Sequence, residues 1–305
     1  MPSCQSASAP ARAISGRTAG NAPLANVLEK VSRHSRPVRD VTRAFMVQRL
    51  PMTQAQTVRL DVDGALARMT FNRPEVLNAG NARFAAELGE VVDALAAHRD
   101  VRVVVMTGAG RAFQTGVDLT ALAAGELGID DLVRWEDAMT AIERMDKLFI
   151  AVINGHCVGG GLQLALVCDY RLAVEDALLS LPAVKECLIP SMALYRLPRL
   201  IGLARAKELI LLGEPISARE GERIGLVNRV VAVADFAKAL DQTVERFLAL
   251  PPVSVSASKR LSSRAFDLDF ETFRREMNAA LAGCFESDEH RRAMDNIRSK
   301  KRSPR

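Results

Sequence analysis

Three consecutive glycines at residues 159–161 constrain the fold of this chain more than any other feature. They lie within GHCVGGGLQLALVCD (155–169), after the strand-like stretch FIAVIN (149–154), and they open an apolar run that predicts a helix. Glycine allows close approach of the backbone, and the first N–H groups of a helix have no acceptor within it. A tight junction where only glycine packs is one interpretation, but the free N–H groups favour a site that binds an anion or an oxyanion.

The surrounding pattern alternates strands with helices. TVRLDV (57–62) and ALARMTF (65–71) predict a hairpin that turns at Asp63-Gly64. VRVVVMTG (101–108) predicts a buried strand. Between them, apolar residues recur at helical spacing: Phe84, Leu88, Val91, Val92 and Leu95. A loop over 109–119, a helix around 130–147 and strands at 149–154 and 170–174 follow. The fold class is therefore α/β, with strands buried on both faces.

Composition divides the chain into four parts. Residues 1–52 hold eight basic and two acidic residues. Three interpretations fit this segment: a disordered N-terminal extension, a start codon placed too early with true initiation at Met46 or Met52, or an organelle transit peptide. We expect a core over 53–200, a mainly helical C-terminal part over 201–290 and a basic tail over 291–305.

Several classes of protein are disfavoured by composition. No apolar stretch approaches the roughly 18 residues that span a membrane. The net charge of +5 resides in the tails, and one Trp and two Tyr offer little base stacking, so we expect no nucleic-acid partner. Four scattered His predict no metal site. Five Cys without CxxC spacing, mostly inside apolar runs, predict reduced, buried residues of a cytoplasmic protein.

Other glycine motifs fail on spacing. The glycine run does not have the GxGxxG spacing of a dinucleotide-binding site, and Ala183 lies about 20 residues later, where such a site has an acidic residue. No GK[ST] follows, as a phosphate-binding P-loop would require. HGGG loops of lipases are similar, but no GxSxG nucleophile motif occurs. A backbone oxyanion hole that does not depend on a catalytic triad remains.

Four ordered motifs resemble the crotonase (enoyl-CoA hydratase/isomerase) superfamily: NRPEVLNA (72–79), GAGRAFQTGVDL (108–119), INGHCVGGGLQLALVCDYRLA (153–173) and LLGEPISAREGERIGLVNRVV (211–231). The resemblance covers about 57–290. It implies a spiral of ββα units with C-terminal helices that build trimers. It also implies an enzyme for acyl-CoA or carrier-bound (acyl-carrier-protein) acyl thioesters, with coenzyme A as part of the substrate and no other cofactor.

By this resemblance, the N–H groups of Val117 and Gly160 hold the thioester oxygen while an enolate forms. The implied substrate-binding positions are Val76, Leu77, Asn78, Thr115, Gly116, Asp118, Leu119, Gly159 and Gly161. Among these, residues 76–78 match the segment that covers coenzyme A. Asp118 is expected to cap the helix that begins at Leu119.

The two glutamates of hydratases in this family are absent. Gln163 and Ala183 occupy their positions, and an amide cannot take up a proton at neutral pH. We therefore expect decarboxylation, isomerisation or dehydration rather than standard hydration. Ser191, where some relatives have a reactive aspartate, is a candidate catalytic residue, and Glu186 is a charge at a position that is usually apolar. A catalytically idle acyl-CoA-binding scaffold and thioester hydrolysis through Ser191 are the alternatives.

An apolar stripe near the C-terminus indicates assembly. It is made by Phe270, Phe273, Met277, Leu281 and Phe285. Packing within one chain would also bury it, but the trimeric habit of the superfamily predicts a homotrimer or homohexamer.

Overall fold

The computed structural model describes residues 57–302 and the two-residue strand Gln48–Arg49. In this part of the chain the strands form two sheets. The strands are β1 Gln48–Arg49, β2 Val58–Asp63, β3 Leu66–Phe71, β4 Val103–Gly108, β5 Ala112–Gln114, β6 Leu148–Ile153, β7 His156–Val158, β8 Tyr170–Val174, β9 Leu178–Ser180, β10 Ile216–Ser217 and β11 Arg229–Val231.

The larger sheet has the order β1-β2-β3-β4-β6-β8-β11 among the described strands. Its pairs from β3 to β11 are parallel, and β1-β2-β3 form an antiparallel edge. Strands β4 and β6 are buried at every position, as expected for central parallel strands covered on both faces.

The smaller sheet, with the order β10-β9-β7-β5, carries the glycine run. Strand β7 pairs in parallel with β5 on one side and with β9 on the other. The segments that leave the carboxyl ends of these three strands therefore meet at one edge of the sheet.

Helices cover the sheets and extend beyond them. They are α1 Ala82–Ala97, α2 Leu119–Ala123, α3 Ile129–Arg144, α4 Gly160–Leu166, α5 Ala193–Ile201, α6 Leu203–Leu212, α7 Ala218–Arg223, α8 Phe236–Leu248, α9 Pro252–Ser263, α10 Phe270–Glu286 and α11 Asp288–Arg302. Every residue of the apolar set predicted for α1 is buried. Short 3-10 turns occur at Pro74–Val76, Pro182–Glu186 and Val233–Asp235.

The α/β prediction is confirmed, and three details differ from it. The hairpin turns at Gly64 (φ 55°) and Ala65, one residue later than predicted, because Asp63 still pairs with Leu66. The predicted loop over 109–119 contains β5, whose Phe113 is fully buried. Strand β11, in the part predicted to be mainly helical, extends the large sheet beside β8.

Three predictions concern the two ends of the chain and the cysteines. The N-terminal extension over 1–52 lies outside the described residues except for β1, whereas the basic tail is helical as far as Arg302. Cys157 and Cys168 are buried as predicted, and burial raises the pKa of the Cys168 thiol to about 12. Cys187 is exposed, contrary to the expectation of buried cysteines. No helix in the described part is long and apolar enough to cross a membrane.

Candidate active site

The glycine run connects β7 to α4. Gly159 has φ 54°, a left-handed conformation that strains any other residue, and its N–H donates to Ser180 O at 2.9 Å. Gly160 is the first residue of α4, so its N–H has no acceptor within the helix. A Cβ at Gly161 would lie 2.0 Å from Gln114 O, so this position must be glycine for β5 and α4 to pack.

A second loop, after β5, presents Val117. Gly80 N donates to Gly116 O at 2.8 Å, and Asp118 N donates to Gly80 O at 2.9 Å. Successive N–H groups of an extended segment point to opposite sides, so Val117 N–H points away from Gly80. Val117 N has no backbone acceptor among the described residues.

The two loops meet. A Cβ at Gly116, where φ is 88°, would lie 3.2 Å from Gly160 N and 3.2 Å from Val158 O. The next residue, Val117, therefore brings its N–H close to that of Gly160, and we call these two groups the donor pair. Two neighbouring N–H groups can stabilise an oxyanion when both point at its oxygen atom.

Gln114 fixes the loop that carries Val117. Its Nε2 donates to Gly116 O at 3.1 Å, and its Oε1 accepts from Gly116 N at 2.7 Å. Gln114 is fully buried, so these bonds are shielded from water. The donor pair is thus held in place before any substrate binds.

Gln163 lies one helical turn after Gly160. It is 8% exposed, and its Oε1 is buried with no hydrogen-bond partner among the described residues. Its main-chain N–H donates to Gly159 O at 3.1 Å, which continues the first turn of α4. The side chain therefore has hydrogen-bonding capacity that the described chain does not use.

Ala183 lies in the 3-10 turn Pro182–Glu186, which starts two residues after Ser180 and hence beside the glycine run. Glu186 is half-buried in the same turn, and this desolvation raises the pKa of its carboxyl group, while the charge of Lys185 opposes the shift. Lys185 itself points elsewhere and forms an ion pair with Glu214 at 2.7 Å.

Ser191 is exposed, at the N-terminal side of α5, and has φ 38°. Nearby, the hydroxyl group of Tyr195 donates to Asp267, and Arg199 stacks on the Tyr195 ring at 3.3 Å. Ser191 has no basic partner among the described side-chain hydrogen bonds, so the geometry does not show an activated nucleophile.

The three residues of the segment expected to cover coenzyme A differ in exposure: Val76 is exposed, Leu77 is partly buried and Asn78 is buried. Val76 is 39% exposed, whereas Asn78 is 1% exposed. Asn78 accepts from one backbone N–H and donates to three carbonyl groups, those of Ala109, Ala112 and Phe113. Leu77 O accepts from Thr115 Oγ1 at 3.1 Å, which ties this segment to the donor-pair loop. Asn78 thus shapes the loop, whereas the side chains of Val76 and Leu77 are the more accessible ones of this segment.

Asp118 caps α2, as predicted. Its carboxylate accepts from Thr120 N and Ala121 N and forms an ion pair with Arg73 at 3.0 Å. Both contacts fix the end of the donor-pair loop and leave Leu119 as the first residue of the helix.

Sequence reasoning missed two residues at the site, Gln114 and Trp135, and a neighbouring buried ion pair. The Trp135 indole packs against Gly160, where an added Cβ would lie 2.9 Å from its Cζ2 atom. Arg196, almost fully buried, pairs with Glu136 at 2.7 Å and Glu143 at 3.0 Å. One sequence signal could have pointed to Trp135. It is the only Trp of the chain, and a buried indole N–H ordinarily needs an acceptor.

The two sheets and the donor pair define an α/β fold in which two loops bring the main-chain N–H groups of Val117 and Gly160 together beside the glycine run. The sequence family described as enoyl-CoA hydratase/isomerase matches residues 61–304. The chain therefore belongs to the enoyl-CoA hydratase/isomerase family, and the resemblance to the crotonase superfamily is confirmed.

Individual relatives agree with this assignment. The short-chain-enoyl-CoA hydratase of Clostridium acetobutylicum is 31% identical over 79% of this chain and 94% of its own length. The carnitinyl-CoA dehydratase of Escherichia coli is 31% identical over 71% of this chain and 84% of its own length. A Thermobifida fusca protein assigned as an enoyl-CoA hydratase, solved in complex with CoA, has 32% identity and a TM-score of 0.68 over 74% of this chain and 92% of its own.

Proposed function

We propose that the chain is an enzyme that binds an acyl-CoA thioester and stabilises the enolate of its acyl group through the donor pair, Val117 N–H and Gly160 N–H. The observation that carries this proposal is the convergence of the two loops, with a Cβ at Gly116 only 3.2 Å from Gly160 N. The T. fusca structure in complex with CoA and the CoA-named relatives support coenzyme A as the carrier.

The reaction we propose is decarboxylation, double-bond isomerisation or dehydration. Decarboxylation has the least need for acid–base groups, because loss of CO2 forms the enolate without a base, whereas isomerisation and dehydration require a proton-transfer group other than residues 163 and 183. Gln163 and Ala183 carry no carboxyl group, and a general acid or base contributes about 10²–10⁴-fold to a rate. Relatives named as a hydratase and as a dehydratase favour an active enzyme over an idle scaffold. The absence of turnover across hydratase, isomerase, decarboxylase and thioesterase assays, with acyl-CoA binding intact, would favour the scaffold.

The test of the donor pair compares two substitutions at one position. Gly160→Pro removes the N–H, and proline is tolerated at the first residue of a helix. Gly160→Ala keeps the N–H, and its added Cβ would lie the same 2.9 Å from Trp135 Cζ2. Alanine is therefore the matched control for crowding.

We expect Gly160→Pro to turn over about 10²–10³-fold more slowly than Gly160→Ala, the effect of one oxyanion donor. A chromophoric thioester, 4-(dimethylamino)cinnamoyl-CoA, gives a second readout that needs no reaction. Polarisation of its carbonyl shifts its absorbance to the red in Gly160→Ala and less in Gly160→Pro. Equal turnover and equal shifts in the two variants would refute the assignment.

The assembly we propose is a homotrimer or a dimer of trimers. Helix α10 has no buried residue within the described chain, and Phe270, Leu281 and Phe285 are 76%, 51% and 61% exposed. Apolar side chains in one stripe are stabilised when a second surface covers them. Light scattering at micromolar concentration tests this proposal, and a monomer would contradict it.

A further inference from the structure

Glu186 brings a carboxyl group to a site that lacks the two expected ones. It is the last residue of the 3-10 turn Pro182–Glu186, and its side chain is half-buried. Its carboxylate has no hydrogen bond or ion pair with another residue of the described chain. A charged group at a usually apolar position, partly withdrawn from water and without a partner, calls for a chemical reason.

The faces of this 3-10 turn can be assigned from its contacts. A 3-10 helix has three residues per turn, so side chains three residues apart lie one above the other. An added Cβ at Gly213 would lie 2.9 Å from Pro182 Cα and 3.2 Å from Lys185 Cε. Lys185 Nζ also pairs with Glu214 at 2.7 Å. Residues 182 and 185 therefore share one face, which packs on the end of α6.

Ala183 and Glu186 share a different face by the same spacing. Residue 183 is the position that carries a glutamate in hydratases of the family. At a rise of about 2 Å per residue, Glu186 Cα lies about 6 Å further along the turn. Side chains on a helix lean toward its N-terminal end, and a glutamate extends three carbon–carbon bonds beyond its Cα. The Glu186 carboxylate is thus directed back toward the place that a carboxylate at residue 183 would occupy.

The N-terminal end of the turn lies beside the donor pair. Val158 of β7 pairs in parallel with Ser180 of β9, and Gly159 N donates to Ser180 O at 2.9 Å. The two chains leave the sheet at the same edge, where one continues into Gly160 and the other into Pro182. A carboxylate directed to this end of the turn approaches a thioester that is held by the donor pair.

We propose that Glu186 is the catalytic proton-transfer group of this site and takes a proton from the carbon atom next to the thioester carbonyl. The electron pair of that C–H bond forms the C=C bond of the enolate, and the carbonyl electron pair moves to the thioester oxygen. The Glu186 carboxylic acid then returns a proton to a carbon atom of the enolate, whose electron pair forms the new C–H bond. The inference rests on the proposed function and names the group that isomerisation or dehydration requires.

The surroundings of Glu186 suit a proton-transfer group. Burial raises the pKa of its carboxyl group, while the charge of Lys185 opposes the shift. A carboxylate is a more effective base when its pKa lies closer to the working pH. Lys185 is turned to Glu214, so no cation of the described chain is bonded to the Glu186 carboxylate.

The test measures proton transfer directly and does not depend on the native reaction. Repeated removal and return of the proton in D2O places deuterium on the carbon next to the thioester carbonyl, which mass spectrometry detects in butyryl-CoA. We expect Glu186→Gln to exchange at least about 10²-fold more slowly than the unaltered chain, the effect of one acid–base group. Glu214→Gln, the same change on the other face of the turn, should keep the exchange.

Moving the carboxyl group along the turn tests the shared face. In the Glu186→Gln background, Ala183→Glu places a carboxyl group on the same face, and Val184→Glu places one on a neighbouring face. Ala183→Glu should restore exchange at least about tenfold, and Val184→Glu should not. Circular dichroism confirms that each variant is folded. Equal exchange in the two double variants would overturn the placement of Glu186.

Binding measurements separate this inference from the proposed function. Glu186→Gln should bind butyryl-CoA with unchanged affinity and keep the red shift of 4-(dimethylamino)cinnamoyl-CoA, because the donor pair is intact. If Glu186→Gln exchanges as fast as the unaltered chain, or loses exchange and red shift together, the inference is overturned. It is also overturned, while the donor pair stands, if the unaltered chain binds and polarises the thioester without exchange. If no thioester binds, the proposed function fails and the inference fails with it.

Discussion

Restoring the two carboxylates is the most direct test of why this site departs from the hydratases. The change is Gln163→Glu together with Ala183→Glu. Pairing of β7 with β9, and the bond from Gly159 N to Ser180 O at 2.9 Å, bring the segments that carry these positions together. The donor pair is already present, so the double variant has the oxyanion site and both acid–base groups.

The expected gain follows from the chemistry of one proton transfer. A positioned acid or base contributes about 10²–10⁴-fold, so hydration of crotonyl-CoA should rise by at least about 10²-fold in the double variant. Burial opposes this change at Gln163, which is only 8% exposed. A buried carboxylate without a partner costs more than the roughly 1–3 kcal/mol of a neutral polar group, so we expect the free energy of unfolding to fall by at least this amount.

The assay follows the loss of enoyl-thioester absorbance. The controls are the two single variants and Gln163→Glu with Ala183→Gln, which fills the same space without a second carboxyl group. If Gln163 takes part in the native mechanism, Gln163→Glu also lowers the native reaction, and this is the outcome we expect. A folded double variant that binds crotonyl-CoA yet hydrates it no faster than the unaltered chain would refute the reasoning.

Two further predictions concern stability. Asn78→Ala should lower the free energy of unfolding by about 2–4 kcal/mol, because the Asn78 side chain makes four hydrogen bonds, two of them buried and two partly buried, and the residue has φ 61°. Asn78→Gly, which is not strained at positive φ, should recover about 1 kcal/mol in chemical denaturation, and equal losses would contradict the backbone part of the argument. Glu186→Gln should raise the Tm at pH 7–8 and leave it nearly unchanged near pH 4. Burial raises the pKa of Glu186, so the folded state binds the proton more tightly, and this contribution to stability is lost as the pH rises through the folded-state pKa. Exposed Glu90→Gln is the control, and a Tm difference that grows at low pH would contradict the sign.

Elements with a long, regular pattern could be predicted from the sequence. The helical spacing of Phe84, Leu88 and Leu95 located α1, and β8 has the bounds predicted for it, Tyr170–Val174. Burial of one face imposes the helical period on α1, whereas β8 is a short apolar run that is buried at four of its five positions. The cap on α2 was also predictable, because Asp118 acts on its immediate neighbours.

Features that depend on distant contacts could not be predicted in this way. Strands β5 and β7 have three residues each, too few to show a period. The role of Gln114 arises only when β5 lies against α4, and that of Trp135 only when α3 packs on the glycine run. Asn78 matched the segment assigned to coenzyme A, yet its burial turns it into a structural residue.

The Gln114 contacts divide the site between main chain and side chains. The groups that would stabilise a developing negative charge are main-chain N–H groups, fixed by Gln114 and by the close packing at Gly161. Neither contact involves Gln163 or Ala183. If the donor pair has the role proposed for it, mutation can exchange the proton-transfer groups one at a time while the main-chain frame is inherited unchanged. A gene copy with such a frame could then acquire a new reaction through point substitutions without losing the groups that polarise the thioester.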